Sequence, residues 1–399
     1  MAPAKSRKRL RNAHWPRLSL PASKPLVVNA WSTPQDPADL KERFAEYAQA
    51  GFTHALSAFR NLKHGRLILD QAQRHGIAVF PMGHHSKIPL AKIAREFRNH
   101  PALAGYFLQD EPENKDFPAL NQTARQLMQI DSDPSRIFYA NLFPNYATDE
   151  QLGLKPHQQY SEHVYKFLCD VPVNVLSFDF YPTVRFSINP KWYGNLDLIR
   201  EAAAKAKIPF WSFLASVGCE LTVDPTLGTL RLQVYTALAY GSVGIQHFIY
   251  MGLKGYTFRV AAIDVDGERT ATYDLVRQVN REIQAQAGVF VGSTVKQVRY
   301  VGKTLPPGTK AYKPAKPITK LEAGPNGAVA AELAKDRLRF LVVVNQDFMA
   351  SMPLELAWDP SVHMGLVDKD GSVKPVRRSA LKTELDPGDA AILMWQTEE

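Results

Sequence analysis

From residue 26 onward, short apolar runs alternate with stretches in which apolar residues return every three or four positions. The runs that read as strands are Leu26–Trp31, Phe52–Phe59, Ile77–Met82, Leu103–Asp110, Arg136–Phe143, Asn174–Tyr181, Pro209–Ala215 and Gly244–Tyr250. The segments between them follow helix grammar. Asp36-Pro37 offers an N-cap and a first-turn proline, Leu40, Phe44 and Tyr47 line one face, and Gly51 closes the unit. Runs such as Ile77–Phe80 are apolar on both faces, as in a parallel sheet covered by helices. This repeat of strand and helix predicts the α/β class and a (β/α)8 TIM barrel over residues 26–292. An open dinucleotide-binding sheet fits less well, because Asn29, Trp31 and Ser32 stand where a glycine-rich phosphate loop would follow the first strand.

After the last predicted helix, Tyr273–Ala287, the period changes. Residues 304–320 carry Pro306, Pro307, Pro314 and Pro317 and read as a loop. Short alternating runs follow at Ala328–Leu333, Leu338–Val344, Leu354–Trp358, Val362–Val367 and Ala390–Trp395, which predicts a C-terminal antiparallel β-sandwich over residues 293–399.

Composition narrows the field. With 45% hydrophobic and 22% charged residues the chain is globular, and no apolar stretch is long enough for a membrane-spanning helix. Two cysteines, Cys169 and Cys219, cannot build a disulfide framework or a cysteine zinc site. Of the net charge of +9, seven positive charges and no negative one fall within residues 1–24, which leaves +2 for residues 25–399. Residues 1–25 therefore read as a basic, disordered arm on a nearly neutral body, and no nucleic acid partner is required. No apolar run follows Lys8–Arg11, so a signal peptide is not expected; a soluble chain, cytoplasmic or periplasmic, is.

In a barrel of this kind, chemistry sits at the C-terminal ends of the strands. Those ends hold Trp31, His84, Asp110-Glu111, Asn141, Asp179 with Tyr181, Trp211, and Tyr250, with Glu220 a little beyond strand seven. Carboxyl groups, amides and aromatic rings suit a sugar: rings stack on its apolar faces, amides bind its hydroxyls, and glycosidic cleavage needs a carboxyl pair. Asp110-Glu111 is the sharpest signal, since an apolar strand runs directly into two acids whose mutual repulsion favours a retained proton. The alternative is that they cap the helix beginning near Asp116. By strand alternation Asp179 and Tyr181 share a face pointing into the barrel.

The segment His100-Pro101-Ala102-Leu103-Ala104-Gly105-Tyr106-Phe107-Leu108-Gln109-Asp110-Glu111-Pro112 resembles the fourth strand of (β/α)8 glycoside hydrolases, including bacterial β-galactosidase-like proteins. In their large clan A that strand ends Asn-Glu and the Glu is the general acid/base. The resemblance thus implies that role for Glu111, with Asp110 replacing the Asn. The clan's strand-seven glutamate has no counterpart in Trp211–Ala215, which leaves Glu220 or Asp179 as the partner acid. An Asp-Glu pair on strand four also resembles barrel hexosaminidases, in which the Asp orients a substrate acetamido group. The reading is a glycosidase cleaving a β-linked oligo- or polysaccharide, with Glu111, Asp179, Glu220 and Asp110 as catalytic candidates. Trp31, His84, Asn141, Tyr181, Trp211 and Tyr250 are its substrate-binding candidates. No cofactor and no metal are expected, because the histidines lack paired ligand spacing. Two alternatives stay open: a non-catalytic carbohydrate-binding barrel and a metal-dependent hydrolase or lyase.

Overall fold

The computed structural model describes residues 18–397 except 84, 186 and 221. Eight parallel strands follow in chain order: β1 (Val27–Ala30), β2 (His54–Ser57), β3 (Ala78–Pro81), β4 (Gly105–Asp110), β5 (Ile137–Leu142), β6 (Leu176–Asp179), β7 (Phe210–Ala215) and β8 (Gly244–Phe248). The longer helices between and after them are α1 (Leu40–Gln49), α2 (Leu62–Arg74), α3 (Leu90–Phe97), α4 (Phe117–Ile130), α5 (Tyr160–Asp170), α6 (Lys191–Ala206), α7 (Leu227–Ala239) and α8 (Ala271–Ala285). The α1 helix starts later than Asp36-Pro37 suggests, because Asp36 accepts from the Ala38 amide at 3.0 Å and forms a turn instead of the cap.

Six strands form one curled parallel sheet in the order β1-β8-β7-β6-β5-β4, while β2 and β3 pair separately. The expected closed barrel is corrected to this partly closed wall, and each seam shows why. Between β3 and β4, among the described residues, only isolated bridges, Val79 to Leu103 and Met82 to Phe107, join the backbones. Between β1 and β2 the Thr53 amide donates to the Val28 carbonyl at 2.9 Å, but the Val28 amide donates to the Thr53 hydroxyl at 2.9 Å. A side chain stands where the next rung of the ladder would be.

The interior is packed with aromatic rings. Phe80, Phe107 and Trp211 surround Tyr139 at centroid distances of 5.3, 5.1 and 5.0 Å. Gly244 makes room for this plug, since a Cβ there would lie 2.3 Å from the Trp211 ring. The plug closes the lower part of the barrel, so any ligand must sit above it, at the strands' C-terminal ends.

Beyond α8 the strands are β9 (Thr294–Val301), β10 (Ile318–Ala323), β11 (Ala328–Lys335), β12 (Leu338–Asn345), β13 (Met352–Trp358), β14 (Met364–Val367), β15 (Val373–Val376), β16 (Ala380–Leu385) and β17 (Ala390–Gln396). They make a six-stranded antiparallel sheet, β9-β11-β12-β17-β14-β15, and a three-stranded one, β10-β13-β16. Leu341, Val343 and Leu393 of the larger sheet pack with Leu354, Leu356 and Trp358 of the smaller. Its opposite face, with Phe340, Val342 and Ile392, joins the core formed around the barrel helices. Residues 228–239 of α7 are all buried, as expected for a helix covered by sheets on both sides. Leu18 and Leu20 of the basic segment also pack on this core. Among the described residues no helix is long and apolar enough to cross a membrane.

Candidate active site

Strand β4 delivers its acids by an irregularity. Phe107 pairs with Tyr139 and Asp110 with Asn141, so the β4 segment between the paired positions is one residue longer than its β5 counterpart. Such a bulge re-aims the side chains that follow it. Glu111 then adopts φ +45°, a left-handed conformation that costs a non-glycine residue about 1 kcal/mol, while its amide donates to the Asn141 carbonyl at 2.8 Å. Backbone strain at a strand end is characteristic of a functional position. The capping alternative is answered here: Glu113 and Asp116 form the capping box ahead of α4, and neither Asp110 nor Glu111 takes part.

The two acids line a cavity of about 220 Å³ together with Trp31, Asn141, Asp179, Tyr181, Phe213 and Phe248. Six strands therefore contribute to it, and β6 brings Asp179 within hydrogen-bonding reach of Glu111. Burial, reinforced by the charge of Asp110, pushes the Glu111 carboxyl up to about 7; the hydrogen bond with Asp179 opposes the rise. Asp179 is driven well above the usual carboxylate range by burial first and by Glu111 and Asp110 next. Acids this close in a half-buried site cannot all ionise, so the pair retains a proton near neutral pH. Asp179 Oδ1 is buried with no hydrogen-bond partner among the described residues.

Beneath the acids runs a chain of buried polar side chains. Asn141 Nδ2 donates to Asp110 Oδ1 at 3.3 Å, and its Oδ1 accepts from Ser177 Oγ at 2.8 Å. Ser177 in turn accepts from Gln246 Nε2 at 2.8 Å, and Gln246 Oε1 accepts from Asn29 at 3.2 Å and from the Tyr139 hydroxyl at 3.3 Å. These contacts define which way the Asn141 amide faces, so its NH₂ is presented to Asp110.

The remaining candidates divide. Tyr181 lies in the cavity wall within hydrogen-bonding reach of Asp179, and its ring leans on Phe248 at 5.2 Å. Trp31 lines the cavity with edge contacts to Phe107 and Phe213. Glu220 is exposed on the loop after β7 and does not reach the cavity. Trp211 is buried in the aromatic plug below. Tyr250 follows the end of β8, where strand alternation lapses, and packs on Tyr47 and Phe52 instead. His84 lies outside the described residues. Phe213 and Phe248 take the positions the sequence reading gave to Trp211 and Tyr250; each lies two residues away, so the same alternation read nearer the cavity finds them. Tyr146, on the loop after β5, was missed without a strand-end signal; the charges of Asp179 and Glu111, after burial, raise its phenol. Among the described residues no group of three or more His, Cys, Asp or Glu side chains is arranged to hold a metal.

A scan of protein-family models finds no match, and a search of curated proteins finds none. Solved structures do match. A β-galactosidase from the psychrophilic Marinomonas ef1 superposes with a TM-score of 0.51 at 10% identity, over 66% of this chain and 60% of that one. This chain thus spans less than two thirds of that protein's length. A β-L-arabinopyranosidase from Geobacillus stearothermophilus superposes with a TM-score of 0.50 at 10% identity, over 94% of this chain and 96% of that one. At such identities the likeness concerns the fold, a barrel-like α/β fold shared with glycoside hydrolases.

Proposed function

We propose that the chain is a glycoside hydrolase, with a catalytic barrel over residues 26–292 and a β-sandwich over residues 293–399. The observation that carries this reading is the approach of Glu111 from β4 and Asp179 from β6 in one small aromatic-walled cavity. Two carboxyls within hydrogen-bonding reach leave no room for a water between them, which favours double displacement over inversion. In the first step the proton shared by the pair sits on Glu111 and passes to the leaving oxygen as the glycosidic bond breaks, while Asp179, the ionised member, attacks the anomeric carbon. In the second, Glu111 as base takes a proton from water, and that water displaces Asp179 and frees the sugar. Burial first, and the charge of Asp110 next, favour the protonated form of Glu111, and Trp31, Tyr181, Phe213 and Phe248 stack on and surround the ring.

Aryl and alkyl β-glycosides test the roles. Glu111→Gln should lose several orders of magnitude on alkyl leaving groups and much less on nitrophenyl ones, which need little protonation. Asp179→Asn should lose activity on both alike. Equal losses for the two leaving groups in Glu111→Gln would remove the general acid from this account.

A further inference from the structure

Above the cavity, the chain leaving β8 forms a loop whose aromatic side chains lead outward from it. Phe248, part of the cavity wall, meets Phe258 edge to face at 5.4 Å. Phe258 stacks on Tyr256 with centroids 5.2 Å apart and ring planes 9° from parallel. One face of Tyr256 is taken by Phe258, yet the residue is 63% exposed, so its other face meets solvent. The loop is anchored. The Gly218 amide donates to the Arg259 carbonyl at 2.9 Å, the Arg259 amide returns a bond at 2.8 Å, and the Arg259 guanidinium holds Asp224 at 2.8 Å. An exposed ring on an anchored loop has little freedom left to lose when a ligand covers it.

The cavity, at about 220 Å³, is smaller than the ~300–1,000 Å³ of pockets that enclose drug-sized molecules. It has room for one sugar ring, and the rest of any glycan must leave along its rim. The C–H face of a pyranose is flat and apolar with a hydroxyl periphery, and a half-wet tyrosine ring matches that division. We infer that the Tyr256–Phe258 stack is a second sugar subsite, which receives the ring bonded to the one held beside Glu111 and Asp179. The inference rests on the glycosidase reading and extends it to substrates of at least two rings, with the terminal ring enclosed.

Calorimetric titration in the Glu111→Gln background, where no bond is cleaved, separates the two ideas. The probes are galactose with lactose and glucose with cellobiose: the monosaccharide reports the cavity, and the gain from the second ring reports the stack. At least one disaccharide should bind more tightly than its monosaccharide. Tyr256→Ala should weaken that disaccharide roughly five- to tenfold and leave the monosaccharide unchanged, while Tyr256→Phe, which keeps the ring, should bind as the parent does. Disaccharide affinity unmoved by Tyr256→Ala, with monosaccharide binding intact, would overturn the subsite and leave the glycosidase reading standing. No binding by any of the sugars would overturn both. Loss of binding to anionic phospholipid vesicles in Tyr256→Ala, with no effect on sugars, would assign the exposed ring to a membrane surface and overturn the subsite as well.

Discussion

Asp110 and Asn141 face each other across β4 and β5, the Asn141 amide donating to the Asp110 carboxyl at 3.3 Å. Because Asn141 also accepts from Ser177, its removal takes a hydrogen bond from two neighbours at once. Asn141→Ala should lower stability by about 2 kcal/mol, at about 1 kcal/mol for each hydrogen bond lost. Urea unfolding measures this directly, and a change within about 0.5 kcal/mol would mean the polar chain does not hold the acids.

The acid pair carries a pH signature, which Glu111 reports. Between the ordinary 4.5 and about 7, the folded chain holds a proton that the unfolded chain has released. Stability therefore falls as pH rises through that window and stays low above it, by about 3 kcal/mol. Glu111→Gln, which has no proton to lose, should be more stable than the parent at pH 8 by an amount of that order. The advantage should shrink toward pH 4.5. Equal differences at pH 5 and pH 8 would contradict the burial of a titrating acid.

The two tryptophans near the barrel axis should respond in opposite ways. Trp211→Ala opens a hole in the aromatic plug and should cost about 3–5 kcal/mol. Trp31→Ala, at the half-buried wall, should cost less stability and more sugar affinity. Thermal unfolding together with sugar titration of both variants distinguishes them, and the reverse pattern would move the binding site down the barrel.

A buried ion pair joins α7 to α8. Arg231 grips Glu282 through Nε and Nη2, at 3.1 and 2.6 Å, and Asp389, just before β17, lies 3.5 Å from Nη1. Glu282→Ala should cost about 3 kcal/mol by leaving Arg231 short of a partner. The double change Arg231→Met with Glu282→Leu should recover most of it, as measured by chemical unfolding. A double variant no better than the single one would show the pair to be favourable in itself.

Much of this architecture was legible in the residues. The parallel strands announce themselves because helices cover them, which leaves apolar runs such as Ile77–Phe80 without a polar face. Strands β9, β10, β15 and β16 were not legible, because they lie at sheet edges and carry Lys296, Lys320, Glu322, Lys374, Lys382 and Glu384 on their more exposed sides. In the site, Asp110-Glu111 and Asp179 could be named because strand-end acids are rare after apolar runs. Trp211 was misplaced because alternation gives a face but not a height along the barrel, and Tyr250 because it lies beyond the end of β8, where alternation lapses. Tyr146 was invisible, since its nearness to the acids depends on the path of a loop.

The burial of α7 on every side has a practical consequence. A helix sandwiched between the barrel wall and the larger antiparallel sheet cannot keep one neighbour and lose the other without wetting Leu230, Val234 and Leu238 or their opposite numbers. A chain truncated after residue 292 should therefore aggregate or refuse to fold, and heating the intact protein should melt both parts in a single transition. Swapping the C-terminal sheets onto another barrel would require the helix to travel with them.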